Sequence, residues 1–184
     1  MRLSQFAEEI ESASGFKAYR MDNTANDMRH AAGLGTCECC DYVTVSKDGQ
    51  SVVLIEETDL GQTIVAFKQR HGYLNDEDQT ALLYEDVLRE HRLKLYGSML
   101  VLCRLSSWWA RVKAFLPENQ FHYWIITTTD SSDSSDSSVL LDHLRDKLRN
   151  FLKSTLKKEM LTEVDIIPAT ELDRKLSDDV IQID

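Results

Sequence analysis

The chain has 184 residues, 42% of them hydrophobic and 28% charged, which suits one well-buried core and a single domain over residues 1–184. Its 31 acidic residues outnumber 21 basic ones, and the net charge of −10 repels nucleic acid at long range. No apolar run reaches the roughly 20 residues needed to span a bilayer, and Glu8, Glu9 and Glu11 interrupt what a signal peptide keeps apolar, so the expectation is a cytoplasmic protein without membrane association.

Leu3, Phe6, Ala7 and Ile10 recur at helical spacing and predict a short amphipathic helix ended by Gly15. Phe16 to Met21 alternates like a half-buried strand, and Asp22 to Gly35 reads as a polar connection containing His30. Asp41 to Val45 and Ser51 to Glu57 predict adjacent antiparallel strands, because Asp48-Gly49 between them is a strong hairpin signal. Gln62 to Phe67 has the β propensity of a further strand through Thr63, Ile64 and Val65.

Asn75, followed by Asp-Glu-Asp, heads the longest predicted helix, whose apolar positions run to about Leu105, with Gly97 a point of close packing or a bend. Trp108 and Trp109 follow, and Pro117 punctuates the next loop. Phe121 to Thr128 is the clearest strand. It runs into Asp130 to Ser138, DSSDSSDSS, an acidic low-complexity loop with nothing to bury. Leu141, Leu144, Leu148, Phe151, Leu152 and Leu156 predict an amphipathic helix, Val164 to Ile167 a strand stopped by Pro168, and Thr170 the cap of a final helical turn before an acidic tail.

The most informative pair is Asp41 and Glu56, fifteen positions apart (56 minus 41), each at the edge of a predicted strand. Carboxylates on neighbouring strands suit a hard divalent cation, which prefers oxygen ligands and lowers the pKa of its bound water. Glu56-Glu57-Thr58 carries threonine where such sites usually carry lysine. The order helix, three strands, long helix, strand, together with this pair, resembles the αβββαβ core of the PD-(D/E)XK nuclease superfamily over residues 3–128, with the last helix and strand a C-terminal addition.

The resemblance implies a restriction-endonuclease-like α/β fold, a mixed central sheet flanked by helices, and Mg²⁺ or Mn²⁺ held by Asp41 and Glu56, with Glu8 or Glu9 of the first helix joining. It places Thr58 at the position of the family's water-orienting lysine. Arg92-Leu93-Lys94-Leu95-Tyr96 resembles the QxxxY helix of the RecB-like branch with arginine in place of glutamine. Residues i and i+4 share a helix face, so Arg92 and Tyr96 are expected to point at the site, and Lys94, Arg92 or Lys68 to supply the missing positive charge through space.

Cys37 and Cys40 have the spacing by which two thiolates reach one zinc, with Cys39, Cys103 or His30 completing the set. No second such pair exists, and free cysteine is among the most buried residue types, so packing is the plainer role. His30, His71, His91, His122 and His143 form no HExxH pair, and Walker, GxGxxG and GxSxG motifs are absent. Arg89 to Lys94, and the basic residues between Arg145 and Lys158, are the local candidates for nucleic-acid contact, with a solvated helix face as the alternative.

Two functions follow. The absent motif lysine and the charge of −10 favour a nuclease-fold module with an impaired site that binds a protein partner or a second copy of itself within a larger assembly. The alternative is an active Mg²⁺- or Mn²⁺-dependent nuclease with a migrated basic residue, acting on DNA or RNA.

Overall fold

The structure, a computed structural model, describes residues 3–10, 16–22, 27–107, 120–127 and 135–180. A six-stranded sheet runs in sequence order: β1 (Ala7–Glu9), β2 (Lys17–Arg20), β3 (Tyr42–Val45), β4 (Val52–Thr58), β5 (Phe121–Thr127) and β6 (Leu161–Pro168). The first four strands are antiparallel neighbours, and β4, β5 and β6 are parallel. The protein is therefore α/β with a mixed open sheet.

The predicted hairpin is present between β3 and β4. Asp48 Oδ1 accepts from Ser46 Oγ at 2.6 Å and Gln50 N at 2.9 Å, and Gly49 takes the positive φ of 69° that the turn requires. Each parallel crossover carries helix. Between β4 and β5 come α2 (Leu60–Arg70) and the long α3 (Asp76–Ser106), and between β5 and β6 comes α4 (Ser135–Thr155). Asn75 caps α3 by accepting from Asp78 N at 2.9 Å.

The sheet separates two cores, as side chains alternate along each strand. Val43, Val52, Leu54, Tyr123 and Ile125 pack with apolar residues of α2, α3 and α4. Val53, Ile55, Trp124 and Ile126 pack on the opposite face with Leu172 and Leu176 of α5 (Leu172–Asp179). Gly97 lets residues 37 and 38 cross α3 in direct contact: a Cβ there would lie 1.7 Å from the Glu38 carbonyl oxygen and 2.8 Å from Cys37 Sγ. Close packing, not a bend, is its role. Among the described residues no helix is long and apolar enough to cross a membrane.

The structure corrects several local expectations. Leu3–Phe6 is a single 3₁₀ turn and Ala7–Glu9 an edge strand, so no amphipathic helix runs from Leu3 to Ile10. Phe6 and Ile10 enter different cores, which one helix face does not allow. Gln62 to Phe67 is helical, because Asp59 accepts from Gln62 N at 2.8 Å and Leu60, Ile64 and Phe67 are buried at helical spacing. That stripe outweighs the β propensity of Thr63-Ile64-Val65.

The polar connection between Asp22 and Gly35 contains a short helix, α1 (Met28–Ala31), capped by Asp27. Ser135–Ser138 belongs to α4, not to a loop, as serine and aspartate are well suited to a helix start; residues 130–134 lie outside the described residues. Thr170 sits inside a 3₁₀ turn, Ala169–Glu171, and does not cap α5, since neither segment has a side-chain cap bond. Gly15, Trp108, Trp109, Pro117 and the last four residues also lie outside the described set.

Candidate functional site

Asp41 stands just before β3 and is held from both neighbouring strands. Its Oδ2 accepts from Glu57 N at 2.8 Å, and its carbonyl accepts from Met21 N at 2.7 Å and Asp22 N at 3.3 Å. Glu56 is on β4, on the face turned toward α3, and only 1% exposed. The hairpin thus brings Asp41 and Glu56 together at one end of the sheet. Asp41 is also held above the usual carboxylate range, by burial first, with the Glu57 N–H bond and Lys94 opposing.

Lys94 completes the cluster from α3. Its ammonium contacts Glu56 Oε1 and lies 3.0 Å from Glu90 Oε1 one helical turn earlier. Glu56 Oε2 has no hydrogen-bond partner. Burial, then the charge of Asp41, pushes Glu56 up to about 8 against the opposing pull of Lys94. For Lys94, burial works downward, but Glu56 and Glu90 outweigh it and raise its pKa. The lysine stays charged, and the glutamate binds its proton far more tightly than an exposed carboxylate does.

A buried layer supports the pair. His91 Nδ1 lies 3.0 Å from the Tyr123 hydroxyl with the rings edge to face, and burial, followed by Lys94, pushes His91 down to about 3, so it is neutral. Ser98 Oγ donates to the Lys94 carbonyl at 2.7 Å and accepts from Cys40 N at 2.8 Å, tying the approach to β3 onto α3.

Sequence reasoning missed the flank of the site. Arg29 of α1 grips Asp22 with both terminal nitrogens, at 3.0 and 2.6 Å, and donates to the Cys37 carbonyl at 3.2 Å. Asp27, whose side chain is fully buried, accepts from His30 N at 2.7 Å and lies 2.8 Å from His30 Nδ1. Asp22 is raised by burial first, and the charges of Arg29, Asp27 and Lys94 all act on it, so this cluster and the carboxylate pair share one electrostatic neighbourhood.

Other sequence candidates lie elsewhere. Arg92 and Tyr96 share a face, but that face meets α4: the guanidinium is 5.5 Å from the Phe151 ring centroid, and the tyrosine hydroxyl donates to the Thr155 carbonyl at 3.3 Å. Lys68 is exposed on α2. Glu8 pairs with Arg20 at 2.8 Å, and the Glu9 side chain lies outside the described residues. The four cysteines are free thiols, Cys39 and Cys40 buried with their pKa values raised chiefly by burial, Cys37 half-buried and Cys103 exposed. On α4, Arg145 lies 3.5 Å from Asp142 and Lys147 sits over the Tyr84 ring.

Among the described residues no three histidine, cysteine, aspartate or glutamate side chains gather as a metal-binding group. Two carboxylates suit Mg²⁺ nonetheless, since it keeps several waters and takes one or two protein carboxylates beside substrate phosphate. The unpartnered Glu56 Oε2 fits that demand. Beside Lys94 a groove of about 470 Å³ is lined by Glu38, Asp86, Arg89, Glu90, Leu93 and Lys94. No family model, curated protein or solved structure matches the chain.

Proposed function

We propose that the chain is a divalent-cation-dependent phosphodiesterase acting on nucleic acid, of PD-(D/E)XK nuclease-like architecture, with Lys94 in the role of the missing motif lysine. One observation carries the reading: Lys94 reaches from α3 to Glu56, the glutamate two residues before Thr58, and leaves the other oxygen of that buried carboxylate without a partner. The order β2, β3, β4, α3, β5 also supports it, while the 3₁₀ turn and edge strand over Leu3–Glu9, where the family pattern has a helix, are a departure among the described residues.

Asp41 and Glu56 would hold Mg²⁺ or Mn²⁺, which when bound polarises a phosphate and lowers the pKa of its water. Asp41 is oriented by the Glu57 N–H, so one of its oxygens is fixed by the protein itself. Lys94 places a permanent positive charge against developing phosphate charge, and its partners Glu56 and Glu90 keep the ammonium on that side of α3. Glu56 has to lose its proton to bind a cation, so cation affinity and cleavage are expected to rise with pH through about 8.

A second reading, a protein-binding module with an impaired site, is favoured by the charge of −10 and by the two acidic side chains, Glu56 and Glu90, that already engage Lys94. Cleavage assays on single- and double-stranded DNA and RNA with Mg²⁺ or Mn²⁺ separate the two. Asp41→Ala, Glu56→Ala and Lys94→Ala are each expected to lose about 10²-fold or more in rate. A wild-type protein that cleaves none of these substrates, or activity that survives Asp41→Ala and Glu56→Ala, overturns the enzyme reading.

A further inference from the structure

We propose that Thr127 belongs to the same site as a positioning residue, its hydroxyl holding a water ligand of the divalent cation bound by Asp41 and Glu56. The inference rests on the cation-dependent reading above and adds a residue from a third strand.

Thr127 ends β5, is 1% exposed, and its Oγ1 has no hydrogen-bond partner. A buried hydroxyl without a partner is a net cost, and valine would fill the same space without it. The strand register says where that hydroxyl lies. Ile125 is opposite Glu56 and Thr127 is opposite Thr58 in the parallel pair β4–β5. Tyr123 and Ile125 pack in the core beneath α3, so Thr127, two residues on, presents to the same face as Glu56.

Two buried polar atoms without partners, Glu56 Oε2 and Thr127 Oγ1, therefore share one face at the carboxyl ends of adjacent strands. Strands about 4.8 Å apart, with about 3.3 Å per residue, put the two Cα atoms roughly 8 Å from each other. A hydrated divalent cation, with metal–oxygen distances of about 2.1 Å and hydrogen bonds of about 2.8 Å from its waters, would bridge side-chain oxygens on residues spaced on this scale. One hydrated cation satisfies both atoms: the carboxylate binds the ion, and the threonine hydroxyl accepts from or donates to its water. Either atom alone would be a local packing defect. Together they describe a ligand that is both cationic and hydrated.

Thr127→Val removes the hydroxyl at constant volume and separates function from stability by sign. The expected result is a melting temperature equal to or above wild type, a 10- to 100-fold weaker affinity for Mn²⁺ alone by calorimetry, and a similar fall in cleavage rate at limiting cation, about the scale seen for groups that orient metal ligands. Thr127→Ser keeps the hydroxyl and is expected to bind Mn²⁺ within about threefold of wild type. Should the valine variant fail to fold, Thr127→Ala against Thr127→Ser gives the same comparison. Unchanged Mn²⁺ affinity and cleavage in the valine or alanine variant overturns the role of Thr127 while leaving the enzyme reading intact. Failure of the wild type both to bind Mn²⁺ and to cleave removes that reading, and this inference with it.

Discussion

Two glutamates on opposite faces of the sheet each meet a lysine, and their acidities diverge. Glu163 on β6 accepts from Trp124 Nε1 and from Lys175 Nζ, both at 3.0 Å, so each of its oxygens is used. Its pKa falls to about 2, with His122 beside it the leading cause and Trp124 and Lys175 adding against burial. Glu56 has one oxygen on Lys94 and the other on nothing, beside Asp41, and rises to about 8. A lysine therefore does not decide a carboxylate's state by itself; the number of donors, the burial and the neighbouring charge do. Glu163 is satisfied by the protein and docks α5, whose Lys175 also sits 2.7 Å from Asp179 and 5.0 Å from the Trp124 ring centroid. Glu56 is the member of the pair with bonding capacity left for a ligand.

The comparison breaks most severely at Lys94. Lys94→Met leaves a buried carboxylate with no cation, and breaking such a pair costs about 3 kcal/mol or more. For a chain of this length that lowers the melting temperature by roughly 6–12 °C. The loss is expected to be greater above pH 8, where the wild-type glutamate is ionised, than at pH 6, where it carries its own proton. Calorimetric melts at both pH values check this, and equal melting temperatures for wild type and variant would show that Lys94 contributes nothing to the site.

Glu163→Ala comes next. It deprives Trp124 and Lys175 of their acceptor, but the side chain is 33% exposed, so solvent screening limits the loss to about 1–2 kcal/mol. Because the folded pKa is depressed, the stability Glu163 adds is present above its ordinary 4.5 and disappears as pH falls toward about 2. The deficit of the variant should therefore fade across that window in pH-dependent urea unfolding, and a constant deficit would argue against the charged pairing.

The sequence anticipates the carboxylate pair and not its surroundings, for a physical reason. Asp41 and Glu56 flank dense apolar runs joined by Asp48-Gly49, and such local signals survive folding unchanged. Lys94 was legible as one of several basic residues on α3, but its distinction from Arg92 depends on which helix face meets the sheet and which meets α4. Helical spacing established that Arg92 and Tyr96 share a side; only the packing of α4 says that the side points away. Asp22 with Arg29, and Asp27 with His30, lie in a connection whose shape no periodicity encodes. Thr127 is further still from view, because its neighbour Thr58 is 69 positions away (127 minus 58) and is met only through strand register.

The substitution with no expected effect near pH 5 tests the comparison most directly. Glu56→Gln keeps the shape of the side chain and fixes it in the neutral state. Since the folded pKa of Glu56 is raised, the stability it contributes is fully present below 4.5 and is lost as pH climbs through about 8. Near pH 5 the wild-type carboxyl is protonated, and the two proteins are expected to unfold at nearly the same denaturant concentration. As pH rises to 8 the wild type gives up on the order of 1 kcal/mol per pH unit at most, while the glutamine variant gives up none of it, so the variant becomes the more stable protein. Saturating Mn²⁺ is expected to reverse that order, because only the carboxylate binds the ion and the folded state alone presents it. A glutamine variant that is less stable than wild type at pH 8 without metal would mean that Glu56 is a satisfied structural partner of Lys94, as Glu163 is of Lys175.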